Sequence, residues 1–522
     1  MGPVSGVLTQ SLGLVLGFGL AILLGGVLVY DLTQQRHSVL RNFPIIGHFR
    51  YGLEQLGEYF RQYFFAGDRE ELPFNRATRS WVYREAKNEG GAIGFGSTND
   101  RREPGTVLFV NHPFPVLEEE RLPTPPLIIG EGACDQPFLA RSVVNISGMS
   151  FGAISQPAVQ ALSRGAGMSG CWMDTGEGGL SPYHLEGDCD LIMQIGTARY
   201  GVRDPDGAFS NDKAREIARS VRAFEIKLSQ GAKPGHGGVL PGSKVTDEIA
   251  QARGVPVGED CVSPAAHSAF STPRELMAFI AQLRELSKGK PVGFKLCVGH
   301  PWEWFALVKA MQDTGITPDF IVVDGAEGGT GAAPLEFSDH VGTPLQEGLR
   351  LVHNTLIGVG LRDRIALGAS GKVISAFDIA RAMALGADWC NSARGFMFAL
   401  GCIQAQACHT GHCPTGVTTQ DPVRQQALVV PDKATRVYNF HHETLKALRE
   451  LVQAAGLQHP HDIKADHIVR RVSDHEVHLM SKLLPEMAAG ALLNDVEHQD
   501  RVFRAYWSRC NSDSFALHSA QA

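Results

Sequence analysis

The chain has 522 residues, a formal net charge of −7, 43% hydrophobic residues and 20% charged residues. This length holds one large core with smaller pieces around it, and the apolar fraction excludes a disordered chain. The mild, spread-out acidity excludes a nucleic-acid footprint.

The first predicted element is residues 11–30, a stretch without a charged residue that is long enough to cross a bilayer as a helix. It is followed by Arg36, Arg41, Arg50 and Arg61 and preceded by no Lys or Arg. The positive-inside rule then predicts a single-pass anchor in the inner (cytoplasmic) membrane, with the rest of the chain facing the cytoplasm. A cleaved export signal is the competing reading, although the basic start of such signals is missing. Residues 1–35 are read as the membrane anchor. Residues 36–140 are read as an aromatic, arginine-rich juxtamembrane collar and a lead-in subdomain, with Tyr59, Phe60, Tyr63, Phe64 and Trp81 at near-helical spacing.

From residue 141 the pattern changes to short apolar runs, each followed by a glycine-rich turn and most by a helical stretch. Strands are predicted at 143–149, 171–174, 191–195, 224–228, 292–297, 320–323, 365–367 and 389–391. Helices are predicted at 157–165, 212–222, 273–286, 302–314, 344–359 and 375–385. Eight alternating strands in one domain predict an α/β fold with a closed (β/α)8 TIM barrel over 141–422, followed by a helical extension over 423–522. In such a barrel the chemistry lies on the loops after the strands.

The unusual residues fall on those loops. Ser150 follows the first strand, and Thr175 and Glu177 stand among glycines after the second. Gln194 closes the third strand, and Lys233 sits in the dense loop after the fourth. Lys295 lies inside the apolar fifth strand, where an ammonium needs an anion or carbonyl partner. Gly328 and Gly329 follow the sixth strand, Gly371 the seventh, and Arg394 and Gly395 the eighth. Glycine loops after strands seven and eight are the usual phosphate site of this barrel and point to a phosphate-bearing cofactor, FMN above all. No GxGxxG opens a helix after a strand, so no Rossmann-type site is visible.

Cys402, Cys408 and Cys413 cluster near the end of the barrel segment, the last followed by Pro414. Their spacing alone leaves two readings open, an iron–sulfur cluster or zinc completed by His409 or His412. The other seven cysteines are scattered and read as reduced, buried thiols.

These loops and the three-cysteine run, taken in order from 141 to 422, resemble the FMN-binding synthase domain of glutamate synthase. The resemblance implies FMN and a [3Fe–4S] cluster on Cys402, Cys408 and Cys413. By position, it implies that Ser150, Thr175, Gln194 and Lys295 border the flavin, with Lys295 at the pyrimidine edge. Gly328, Gly329, Gly371, Arg394 and Gly395 would surround the cofactor and its phosphate. Glu177, Lys233 and Arg253 would lie near 2-oxoglutarate or 2-iminoglutarate, a dicarboxylate that needs two cations. The expected reaction is reduction of 2-iminoglutarate to L-glutamate, with electrons from ferredoxin or another redox protein.

The sequence also departs from that family. Val239 stands where the family usually has Gln, and His236 where it has an acid. Neither the family's glutaminase domain nor its C-terminal β-helix domain is found, so ammonia is expected free or from a separate glutaminase. Two alternatives follow: an oxidoreductase acting on another amino or imino acid, or an electron-transfer or redox-sensing membrane component without turnover.

Overall fold

The apolar runs of the middle of the chain form eight short strands: β1 (Val144–Ile146), β2 (Met173–Asp174), β3 (Leu191–Ile195), β4 (Ala223–Lys227), β5 (Val292–Leu296), β6 (Phe320–Asp324), β7 (Ala366–Ser370) and β8 (Trp389–Ser392). The computed structural model, which describes residues 3–518, closes them in chain order into one parallel barrel. β8 pairs with β1, and β4 pairs with β5. The predicted (β/α)8 fold is therefore present. The second strand is shorter than predicted because the Trp172 N–H donates to the Asn145 side chain, 3.1 Å away, rather than into the ladder.

Local chemistry explains the helices between the strands. Pro273–Leu286 starts at Thr272, whose side chain accepts from the Glu275 N–H while Glu275 reaches back to the Thr272 backbone. Ser375 and Asp378 do the same for Ala376–Ala384. The stretch predicted as helix over 212–222 is helical only over Asn211–Ile217.

Residues at the strand starts fill the N-terminal end of the barrel. Trp172, Phe320 and Trp389 meet edge to face at 5.5 Å and 6.1 Å. The antiparallel hairpin of Leu127–Ile129 and Phe138–Ala140 packs onto them, with Phe138 5.6 Å from Trp172. Gly368 makes room for this plug, since a Cβ there would lie 2.6 Å from the Trp389 ring. The opposite rim is left for chemistry.

The chain divides into two compact units, Met1–Ala77 and Thr78–Ala522. In the first, the helix Pro3–Thr33 contains Gly13–Thr33, a segment long and apolar enough to cross a membrane, and none of its most apolar 18-residue stretch is buried. Buried Asp31 accepts from the Ile45 N–H at 2.8 Å and faces the His48 ring at 2.9 Å. In the second, the long helix Val430–Ala454 lies against Gln156–Ser169 so closely that a Cβ at Gly165 would be 2.4 Å from Val437. A strand of the lead-in region, Val107–Phe109, pairs with Ile468–Arg471 from the C-terminal extension.

Two buried histidines tie stability to pH. Burial lowers His184 and His441 to about 4, despite their hydrogen bonds at Ser181 and Val144. Their folded values lie below the unfolded value, so this stability is present above about pH 6.5 and is lost as pH falls through that value toward the folded one. At pH 5 each is expected to cost about 2 kcal/mol. Urea unfolding of the full chain in detergent should show a lower midpoint at pH 5 than at pH 7.5; equal midpoints would refute the assignment.

Candidate functional site

The loops after the strands surround an open cleft. Ser150, Glu177, Gln194, Lys233, Arg253, Gly329, Arg394 and Cys408 all line it, joined by Lys227, Gln230 and Lys244. Thr175, Lys295, Gly328, Gly371 and Gly395 do not line it; they build the structure behind its wall.

One side of the cleft is cationic. Lys227 ends β4, and its Nζ lies 3.1 Å from Glu177 Oε1. Burial raises the Glu177 carboxyl, but Lys227, Arg253 and Lys233 outweigh it and hold the group below its ordinary value. Arg253 donates to the Phe151 carbonyl at 3.1 Å and lies over the Tyr200 ring at 5.0 Å. Its buried Nε has no acceptor among the described residues. Lys233 donates to the Ala332 carbonyl at 2.8 Å, and burial together with nearby Lys227 lowers its pKa. Three cations thus face one carboxylate, an excess of positive charge suited to a dianionic ligand.

Behind the cleft, Lys295 of β5 lies 3.4 Å from Asp324 Oδ2, the last residue of β6. Asp324 also accepts from the Gly231 N–H at 2.9 Å and from Ser370 Oγ at 2.5 Å. These bonds pin the start of the Lys233 loop to the far side of the barrel. A Cβ at residue 231 would lie 1.9 Å from the Gly325 carbonyl oxygen, so only glycine allows this approach. Gly231→Ala is expected to destabilise the protein by about 1–3 kcal/mol and to displace Lys233. Thermal unfolding and a crystal structure of the variant would check both, and an unchanged loop would refute the argument.

Two rim glycines allow close packing of the loops after the last three strands. Gly371 takes φ +120°, and a Cβ there would meet the Gly325 nitrogen at 2.8 Å. A Cβ at Gly329 would meet Arg394 Nε at 2.8 Å, and Arg394 also donates to the Thr330 carbonyl. Glycine at these positions lets the loops after β6, β7 and β8 pack closely against one another.

The three cysteines follow the short helix Arg394–Leu400 and line a second, smaller pocket of about 270 Å³. Cys408, Met397 and Thr418 border both spaces, so the two adjoin. Burial raises Cys402; burial also raises Cys413, but hydrogen bonds from Thr418 and Thr415 outweigh it and favour its thiolate. Among the described residues no three His, Cys, Asp or Glu side chains gather around a single ion position. This holds alike for a zinc site completed by His409 or His412 and for the three cysteines. Three thiols spread around one pocket suit a multi-iron cluster, in which each iron takes its own sulfur. Lys244 joins the spaces, donating to the Cys408 carbonyl at 3.2 Å and to the Thr418 carbonyl at 2.8 Å.

Sequence reasoning missed Lys227 and Lys244 as site residues. Lys227 carried a readable signal, a lysine at the end of an apolar strand like Lys295. Lys244 carried none, because it sits at the end of the turn Gly242–Lys244 and gains its role only through contacts distant in sequence.

Residues 115–458 match the conserved region of glutamate synthase. A glutamate synthase large subunit-like protein of Bacillus subtilis, YerD, is 40% identical over 508 residues, which cover 90% of this chain and 96% of that protein. An archaeal-type glutamate synthase [NADPH] of Thermotoga neapolitana is 34% identical over 349 residues, 66% of each chain. An archaeal glutamate synthase [NADPH] of Methanocaldococcus jannaschii is 38% identical over 316 residues, 60% of this chain and 59% of that one. With its barrel and matched span, the chain belongs to the glutamate synthase family of oxidoreductases.

Proposed function

We propose that the chain is a membrane-anchored oxidoreductase that reduces 2-iminoglutarate, formed from 2-oxoglutarate and ammonia, to L-glutamate. The observation that carries this reading is the convergence of Lys227, Lys233 and Arg253 on one cleft. FMN fits the rim, with Gln194, Gly329 and Arg394 as residues that would hold it, and Cys402, Cys408 and Cys413 would hold the [3Fe–4S] cluster. When bound, FMN would supply two-electron reduction of the imine carbon, and the cluster would relay single electrons from a donor such as ferredoxin or another redox protein.

The chain's own residues bind and orient. Arg253 and Lys233 attract the two carboxylates of the substrate and fix which carbon faces the ring. Glu177, kept ionised by its cationic neighbours, accepts hydrogen bonds from an ammonium or iminium nitrogen. Lys244 holds the Cys408 loop against the cleft. Ammonia would arrive free or from a separate glutaminase.

The test is anaerobic: reduced, purified protein is mixed with 2-oxoglutarate and ammonia, and flavin reoxidation and glutamate are measured. Iron and acid-labile sulfide, lost in Cys408→Ser, check the cluster. No glutamate, or no flavin absorbance after gentle detergent purification, would overturn the proposal. One observation favours a second reading. Val239 places an exposed isopropyl group in the cleft, which suits an amino or imino acid with a more apolar side chain. Reoxidation by such an imino acid, but not by 2-oxoglutarate plus ammonia, would select it.

The segment Gly13–Thr33 and the arginines after it support an inner-membrane anchor with the barrel in the cytoplasm. Retention of the protein in the membrane fraction after an alkaline wash tests the anchor.

A further inference from the structure

Two carboxyl groups lie beneath the cleft floor, and the residues proposed above leave their role unexplained. Asp174 ends β2 and Glu225 lies in β4, and both are almost fully buried. Gln194 of β3 stands between them, opposite Glu225 in the strand register. Its Nε2 donates to Glu225 Oε1 at 2.7 Å and to Asp174 Oδ2 at 3.2 Å. One amide nitrogen thus bridges the two carboxyls and holds them close enough to act on each other's ionisation. The group reaches the cleft through Gln194, which lines it, and beside Gly148, where a Cβ would lie 2.8 Å from both Asp174 Oδ1 and Gln194 Nε2.

The surrounding charges fix the count. Lys295 of β5 reaches toward the pair but also meets Asp324 of β6 at 3.4 Å, so these two cancel. Lys227 of β4 faces the pair and is engaged at 3.1 Å with Glu177. The Gly176 N–H donates to Asp174 Oδ1 at 2.7 Å. Lys295 and Lys227 each already pair with another carboxylate, so two buried carboxylates here would be under-compensated, which favours keeping one proton. Burial raises both groups above their ordinary values, Glu225 the more strongly. Gln194 spends both amide hydrogens on the pair, which leaves its carbonyl oxygen as an acceptor toward the cleft.

We propose that Asp174 and Glu225 share one proton and act as a proton-holding pair beneath the ring site, so that the reduction potential of the bound flavin depends on the charge of the pair and through it on pH. The potential part of this proposal rests on the FMN reading; the shared proton does not. Asp174, Glu225 and Gln194 are positioning residues here.

Two measurements on the full chain in detergent decide it. Infrared spectroscopy at neutral pH is expected to show a carboxylic-acid C=O band that is slow to exchange in D2O and is lost in Glu225→Gln. Spectroelectrochemical titration of the flavin across neutral pH is expected to show a steeper pH dependence in the wild-type chain than in Glu225→Gln or Asp174→Asn. No such band in the wild type, its survival in Glu225→Gln, or identical pH slopes in all three proteins would overturn the proposal. A protein with the carboxyl band but no flavin absorbance would instead count against the FMN reading and uphold the shared proton.

Discussion

Lys295→Met is expected to destabilise the protein by about 3–5 kcal/mol, the range for removing one partner of a buried ion pair. Both side chains of the pair are nearly inaccessible, 8% exposed for Lys295 and 9% for Asp324. Methionine keeps the length and apolar stem of lysine and removes only the ammonium, so packing loss is small. Asp324 would then lose its cation, and the Asp174–Glu225 pair would lose its nearest positive charge. Burial pulls the Lys295 ammonium down, but Asp324, Glu225 and Asp174 more than offset this and hold it above its ordinary value. With the folded value raised, its stabilisation is present below the unfolded value near 10.4 and fades only as pH rises through the folded one. The loss in Lys295→Met should therefore be constant across neutral pH. Denaturant unfolding of Lys295→Met, Asp324→Asn and the double variant measures the coupling. The double variant should recover much of the loss, because it removes the carboxylate in contact with Lys295 along with the ammonium. If the double variant is as unstable as the sum of the single changes, the pair is not the cause.

The second large effect is expected at Arg253. Arg253→Ala should lower kcat/KM for 2-oxoglutarate plus ammonia by about 10²- to 10³-fold, mostly through KM, as expected for losing a charge-assisted contact worth about 3–4 kcal/mol. The guanidinium is buried, is braced by Ser150 and the Phe151 carbonyl, and keeps one nitrogen without an acceptor. Lys233→Ala should have a similar effect, because its Nζ sits in the same cleft. Arg253→Lys should recover only part of the loss, since an ammonium cannot reproduce the two-pronged contact of a guanidinium with a carboxylate. Steady-state kinetics on folded, flavin-loaded variants checks this. An unchanged KM in Arg253→Ala would remove Arg253 from substrate binding.

Most of the barrel was legible before any coordinates were known. Strand β3 and the helix Pro273–Leu286 fall at their predicted boundaries, because a short apolar run before a glycine turn and a Thr–Pro–x–Glu start are local signals. The helix Asn211–Ile217 and the strand Met173–Asp174 are shorter than predicted, and at the strand the Trp172 N–H is taken by the Asn145 side chain. The cleft was partly legible. Glu177, Lys233 and Arg253 meet in it, whereas Thr175, Lys295, Gly328, Gly371 and Gly395 do not line it.

By itself the sequence determined the order of the eight strands, the apolar segment before the arginines, the three-cysteine run and the glycine loops, because each is encoded within a few neighbouring residues. Only the tertiary structure decided which charges meet. Glu225 reaches Gln194 across 31 residues, and Lys244 reaches Thr418 across 174. Such pairings follow from the register of parallel strands and the closure of the barrel, which no local pattern of residues can specify.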